Sequence, residues 1–195
     1  RGHQVTAVTR FSGPGSPGGD SVRWVKGSLY DRDLVDQLSA EADVLISAIT
    51  SGPDENGHTL LDALPIMVEA AERSAVRVAL VGGAGSLLLS EGGDQVITKL
   101  ASVAPPDKLR DIKLHVQLLE ALHQTPAEVD WFYLSPPTGF GAHVPGRRLG
   151  HYRLGGDVLL TDAGNSAISG DDYAMAFVDE IERPRHRRQR FTVAY

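Results

Sequence analysis

The side chains in this chain that could do chemistry are few, and their spacing excludes more than it admits. There is no cysteine among the 195 residues, which removes thiolate nucleophiles, thiolate metal sites and disulfides. Of the seven histidines, His3, His58, His123, His143, His151 and His186 have no metal-ligand spacing with acidic partners. No G-x-S-x-G sequence supplies a nucleophile elbow. None of Tyr30, Tyr133, Tyr152 or Tyr173 has a lysine four residues on, so the Tyr-x-x-x-Lys pair of ordinary carbonyl–alcohol chemistry is missing. His115 stands apart, three residues after Ile112 and four before Leu119 on the apolar face of a helical pattern. An imidazole there can hydrogen-bond a ligand or donate a proton. The competing reading, favoured on the residues alone, is a satisfied histidine at the border of the core.

One glycine motif is a decoy. Gly13-Pro14-Gly15-Ser16-Pro17-Gly18 matches G-x-G-x-x-G letter for letter. A dinucleotide turn needs its third glycine to open a helix whose free amides receive the pyrophosphate. Here Gly19-Asp20-Ser21 leads straight into Val22-Arg23-Trp24-Val25, a strand pattern, and two prolines remove amides. The motif reads as a surface loop.

The elements that must position the remaining candidates are legible from periodicity. Short apolar, β-branched runs at Val5–Val8, Val22–Val25, Val44–Ala48, Val76–Val81, Trp131–Ser135 and Phe191–Ala194 alternate with helical patterns. Those patterns are Asp31–Leu38, Thr59–Ser74, Asp107–His123 and Asp171–Glu182, with Pro65 in the first two turns of the second. Near-continuous apolar strands separated by helices predict an α/β domain with a parallel sheet covered on both faces. Thr138–Gly156, rich in Gly, Pro and Arg, reads as loop. In open α/β sheets ligands bind outside the carboxyl ends of the strands, which selects Ser47-Ala48-Ile49-Thr50 and Gly82-Gly83. A glycine pair lets backbone approach a ligand closely, or is plain turn chemistry.

Several stretches, taken in order, resemble one family. Arg1-Gly2-His3-Gln4-Val5-Thr6-Ala7-Val8-Thr9-Arg10 looks like the second strand of a Rossmann domain. Val81-Gly82-Gly83-Ala84-Gly85-Ser86, Trp131-Phe132-Tyr133-Leu134-Ser135-Pro136 and Tyr152-Arg153-Leu154-Gly155-Gly156-Asp157 are similar to segments of the NADH-flavin reductase group. That group belongs with the atypical short-chain dehydrogenases, including NmrA-like and biliverdin-reductase-B-like proteins. Ile168-Ser169, Asp172-Tyr173-Ala174 and Arg190-Phe191-Thr192-Val193-Ala194-Tyr195 continue the resemblance.

The resemblance implies a Rossmann-like doubly wound parallel sheet, a nicotinamide cofactor (NADP or NAD) and a flavin, FMN or FAD, as the acceptor. It further implies that the first strand and its Gly-rich phosphate turn precede Arg1, so the sequence is expected to be incomplete at its N-terminus. Gly27-Ser28 stands where relatives often carry an aspartate at the adenine pocket. Arg10, ending the second strand, suits a cofactor 2′-phosphate or is a solvated loop arginine; both readings stay open. Ser86 sits where short-chain dehydrogenases place a substrate-polarising serine. His115 matches a histidine near the nicotinamide, and Ser135-Pro136-Pro137-Thr138 a rigid turn beside that ring. Tyr152 could stack on a flat substrate or be a buried aromatic. Direct hydride transfer from nicotinamide to flavin asks mainly for orientation, which tolerates the missing Tyr–Lys pair. Rival readings are a non-enzymatic NAD(P)-binding redox sensor, or a reductase of a quinone or tetrapyrrole.

Composition bounds the partners. With 19 basic and 25 acidic residues the formal charge is −6, which argues against nucleic acid or an anionic membrane as partner. The five arginines between Arg183 and Arg190 read as a solvated cap on the last helix. A small-molecule substrate and a cytoplasmic location are expected, and oligomeric state is left open.

Overall fold

In the computed structural model, which describes residues 1–10 and 22–195, the apolar runs become strands and the periodic segments helices. The Gly13–Gly18 motif lies outside the described residues. Chain order is β1 (Val5–Thr9), β2 (Val22–Lys26), α1 (Arg32–Ser39), β3 (Val44–Ser47), α2 (Leu60–Ser74), β4 (Arg77–Val81), α3 (Val96–Leu100), α4 (Pro106–His123), β5 (Trp131–Ser135), β6 (Arg153–Gly155), α5 (Gly170–Glu182) and β7 (Gln189–Ala194).

Strands β3, β4, β5 and β7 lie side by side and parallel, and β6 closes the far edge antiparallel to β7. Strands β1 and β2 pair parallel in a separate two-stranded sheet. The strand order expected from the family puts another strand between β1 and β3; no described residue occupies that place. Val5 and Val8 on β1 and Ile46 on β3 remain 47%, 41% and 50% exposed, as apolar side chains beside unpaired strand edges do.

Alternation along the strands divides the core. Val78, Leu80, Trp131 and Tyr133 point to one face, under Leu60, Leu64 and Met67 of α2 and Leu118, Leu119 and Leu122 of α4. Ala79, Phe132, Leu134, Phe191 and Val193 point to the other, against Tyr173, Ala176 and Phe177 of α5. Every residue of β5 is buried, which is why it reads as a continuous apolar run. The helix starts are capped as their sequences suggest. The Asp31 carboxylate accepts from the Leu34 amide at 3.2 Å, Thr59 and Asp62 form a capping box, and the Ser169 hydroxyl accepts from the Asp172 amide at 3.1 Å.

Two elements depart from the expectation. The segment read wholly as loop contains β6, whose residues are exposed or half-buried and carry no periodic signal; its pairing is decided by the β7 edge. The five-residue α3 is likewise too short to show a period.

The arginine run is also different from a solvated cap. Arg187 pairs with Asp130 at 2.6 Å. Arg188, in the left-handed region at φ 51°, donates to the Thr125 carbonyl and hydroxyl and to the carbonyls of Pro126 and Val129. It thereby fastens the α4–β5 connection, adding to the bond from the Val129 amide to the Pro126 carbonyl.

At the amino end of the sheet, Arg77 and Glu180 form a buried pair at 2.8 Å. Arg77 also donates to the carbonyls of Glu180 and His186, and its guanidinium lies over the Phe132 ring. Burial pushes the Glu180 carboxyl up, but hydrogen bonds from Arg77 and from the His186 amide and ring outweigh it and hold the group below its usual value. Removing one partner of such a pair strands a buried charge. Arg77→Met is therefore expected to lower unfolding free energy by about 3 kcal/mol, measured by urea denaturation.

Candidate functional site

The turns that follow β3, β4 and β5 share one edge of the parallel sheet, and the sequence-selected residues fall on it. Ser47 ends β3, Gly82 and Gly83 follow β4, and Ser135 ends β5 before Pro136 and Pro137. Arg10, immediately after β1, reaches this edge, with a guanidinium nitrogen 3.7 Å from Glu55 in the β3–α2 loop. Ala48 and Ile49 are exposed at the start of that loop, whereas Pro136 and Pro137 are buried. Ser51 donates its hydroxyl to the Asp111 carbonyl at 3.2 Å and so ties the loop to α4.

Gly82 and Gly83 are required first by packing. A Cβ on Gly82 would lie 2.6 Å from Cζ of Tyr133, and one on Gly83 would lie 2.9 Å from Cβ and Cγ of His115. A Cβ on Gly85 would meet Ile112 of α4. The Gly-rich turn lets α4 close onto the end of the sheet. In the gap the Tyr133 hydroxyl accepts from the Gly83 amide at 2.8 Å, donates to the His115 carbonyl at 3.2 Å and lies 3.1 Å from His115 Nδ1. Burial pushes the Tyr133 phenol well above its usual value. Burial also lowers the His115 imidazole, against the opposing charge of Asp111, so the ring is neutral at neutral pH.

Ser86 is buried beside a cation. Its Oγ lies 3.3 Å from a guanidinium nitrogen of Arg190, which is itself buried and held by Asp157 at 2.5 and 2.7 Å. Tyr152 half-buries its ring against the α5 side of the sheet and donates to Asp179 at 2.5 Å; burial, then that carboxylate, pushes its phenol up to about 12.

Two hydroxyls lie buried on the shared edge. Ser47 and Ser135 are 3% and 0% exposed, and neither Oγ has a hydrogen-bond partner among the described residues. Buried polar groups are nearly always paired; Ser39 and Ser166, with Arg77 Nε, Asp130 Oδ1 and Trp131 Nε1, are in the same state elsewhere in the fold.

Tyr133, Arg190, Asp157 and Asp172 escape sequence reasoning, because each acts through a partner remote in the chain. Asp172, fully buried in the first turn of α5, accepts from the amides of Leu149 and Gly150, the Ser169 hydroxyl and the Tyr195 hydroxyl. Tyr195 in turn donates to the Arg147 carbonyl or to Asp172, so the segment before β6 is pinned to α5. Burial alone would raise the Asp172 carboxyl, but these hydrogen bonds hold it at about 2. Among the described residues no group of acidic or histidine side chains could hold a metal ion, and no helix is long and apolar enough to cross a membrane.

The strand order and the two-sided helix cover define a Rossmann-type α/β fold. No family model matches the chain. It is 32% identical to the YwnB protein of Bacillus subtilis over 99% of this chain and 87% of that one, and it belongs to that protein's family. A solved structure described as a candidate epimerase from Bacteroides thetaiotaomicron is 32% identical, with a TM-score of 0.80 over 100% of this chain and 86% of its own. One described as a candidate NADH-flavin reductase from Streptococcus pneumoniae is 26% identical, with a TM-score of 0.73 over 99% and 88%. At 16% identity and a TM-score of 0.70, over 98% and 82%, the fold alone is shared with a short-chain dehydrogenase/reductase of Veillonella parvula in complex with NADP.

Two outcomes follow from this geometry. Gly82→Ala forces a methyl into the Tyr133 ring and is expected to cost about 1–3 kcal/mol, read by urea denaturation. Asp172 stabilises the fold fully above its ordinary pKa of 3.8, and that contribution is lost as pH falls towards about 2. An Asp172→Asn variant should therefore show a flatter stability profile between those pH values, followed by thermal unfolding.

Proposed function

We propose that the protein is an NAD(P)H-dependent reductase whose acceptor is a flavin. The observation that carries this reading is the convergence of the turns after β3, β4 and β5 at the carboxyl edge of the parallel sheet, with Ala48 and Ile49 exposed there and Gly82 and Gly83 without side chains. Nucleotides bind at that edge in open α/β sheets, and a carboxamide or ribose can bond the backbone groups of such turns. The residues present therefore fit a nicotinamide cofactor. Ser47, with the exposed Ala48 and Ile49 after it, would line one side. Ser135 and the rigid Pro136-Pro137 wall would line the other. Arg10 would meet a 2′-phosphate if the cofactor is NADP, exchanging its contact with Glu55 for a phosphate. Gly82 and Gly83 would contribute backbone.

When bound, the cofactor supplies the hydride, and the chain supplies orientation and exclusion of water. Ser86, already accepting from Arg190, and His115, neutral and held by Tyr133, would position the acceptor ring. Neither is arranged as a strong general acid. Together with the absent Tyr–Lys pair, this supports an acceptor that needs no side-chain proton to be reduced. Likeness to the Streptococcus pneumoniae protein supports the flavin. An epimerase reading through a transiently oxidised alcohol would need an acid–base pair that these residues do not make.

The test follows NADPH and NADH oxidation with FMN or FAD. Flavin-dependent turnover is expected, and its absence with both cofactors and both flavins would sink the reading. Cofactor binding without turnover would point instead to a redox sensor. Arg10→Glu should lower kcat/KM for NADPH relative to NADH by about tenfold, the scale of one lost charge-assisted contact of about 1.4 kcal/mol.

A further inference from the structure

The Tyr133 hydroxyl has one proton and three neighbours, and that shortage decides the state of His115. Its three contacts are the Gly83 amide at 2.8 Å, the His115 carbonyl at 3.2 Å and His115 Nδ1 at 3.1 Å. The amide can only donate and the carbonyl can only accept. The phenol proton is therefore the one hydrogen available to the contact with the carbonyl. If the phenol donates there, its two lone pairs receive the Gly83 N–H and an N–H on Nδ1, and all three contacts are hydrogen bonds. If it donates to Nδ1 instead, two oxygens face each other at 3.2 Å in a buried site with no hydrogen between them. The His115 carbonyl already receives the Leu119 amide within α4, so the second arrangement is disfavoured by the approach of two oxygen lone pairs in a low-dielectric site.

We propose that Tyr133 is a positioning residue that fixes His115 with its proton on Nδ1, leaving Nε2 as a bare acceptor for an N–H or O–H donor of the bound ligand. The position of Nε2 agrees. It has no hydrogen-bond partner among the described residues, yet it is not one of the sealed polar atoms that lack one, so it reaches solvent. The Gly-rich turn serves the same end. The absence of a side chain on Gly82 admits the Tyr133 ring edge, and its absence on Gly83 admits His115. The inference refines the role of His115, because a neutral ring with an unprotonated Nε2 accepts a hydrogen bond and does not donate a proton. It also narrows the ligand: the group beside His115 carries a donor, as a carboxamide NH2 or a ring imide N–H does. This ligand half rests on the nucleotide-binding reading above; the tautomer half does not.

Long-range nitrogen–carbon-bound-proton NMR of the uniformly 15N-labelled chain separates the two. Without ligand, His115 is expected to show a protonated Nδ1 and a pyridine-type Nε2, and Tyr133→Phe should move the ring towards the Nε2–H form with the backbone spectrum otherwise kept. A wild-type ring protonated on Nε2 overturns the inference whether or not the Tyr133→Phe variant folds. Titration with NADP+ and NAD+ tests the ligand half. An upfield shift of the Nε2 resonance accompanying shifts of the Gly82 and Gly83 amides is expected. Amide shifts with an unmoved Nε2 overturn the acceptor role. No shift anywhere in the spectrum would count against the nucleotide-binding reading and leave the tautomer result standing.

Discussion

Helix α4 can lie against the carboxyl end of β4 only because residues 82, 83 and 85 have no side chains, and much of the molecule follows from that approach. The ring of Tyr133 fills the space a Cβ of residue 82 would take, and His115 fills that of residue 83. Three elements therefore meet at one phenol oxygen: the turn after β4 through its amide, α4 through a carbonyl and an imidazole, and β5 through the tyrosine itself. A hydrogen bond in such a dry, close-packed setting is geometrically demanding. The site edge is accordingly stiff at its centre, and the exposed loop after β3 is tethered to the same helix through Ser51.

The two ends of the sheet differ in charge. At the amino end charges are paired, Arg77 with Glu180, Glu180 with His186 and Asp130 with Arg187, although Arg77 Nε, Asp130 Oδ1 and Trp131 Nε1 lack a hydrogen bond. The His186 ring also stacks on Phe191 at 3.9 Å. At the carboxyl end, Ser47 and Ser135 are buried with nothing to bond, and Ile49 is exposed. Ion pairs dominate one end, and small hydroxyls and glycines the other. Asp172 and Tyr195 tie the flank, pinning the segment before β6 to α5.

The side chains at this edge are engaged with one another more than poised for proton transfer. Tyr133 is committed to three contacts, His115 is neutral and Ser86 is engaged by Arg190. None of these groups is poised as a strong acid or base. The same arrangement suits an activity in which a bound cofactor brings the reactive hydride and the protein aligns two rings.

The periodicity of apolar residues was enough to read most of the strands and helices, because burial on two faces writes itself as continuous runs and burial on one face as a helical repeat. Val78–Val81 and Trp131–Ser135 are legible for that reason, and so is the position of the turns that follow them. His115 was visible as a histidine on an apolar face, and Ser47 and Ser135 as turn residues. What the residues alone left undecided was which groups pair. Whether Gly82 and Gly83 serve a ligand or a helix depends on Tyr133, fifty positions further on, and the fate of the arginine run depends on Asp130, Asp157 and carbonyls after α4. Strand β6 exists because β7 offers it an edge. Local sequence determines the period of each element, since that depends on near neighbours. Only the tertiary structure decides the partners of a buried polar atom, since those come from wherever the fold brings a complementary group within about 3 Å.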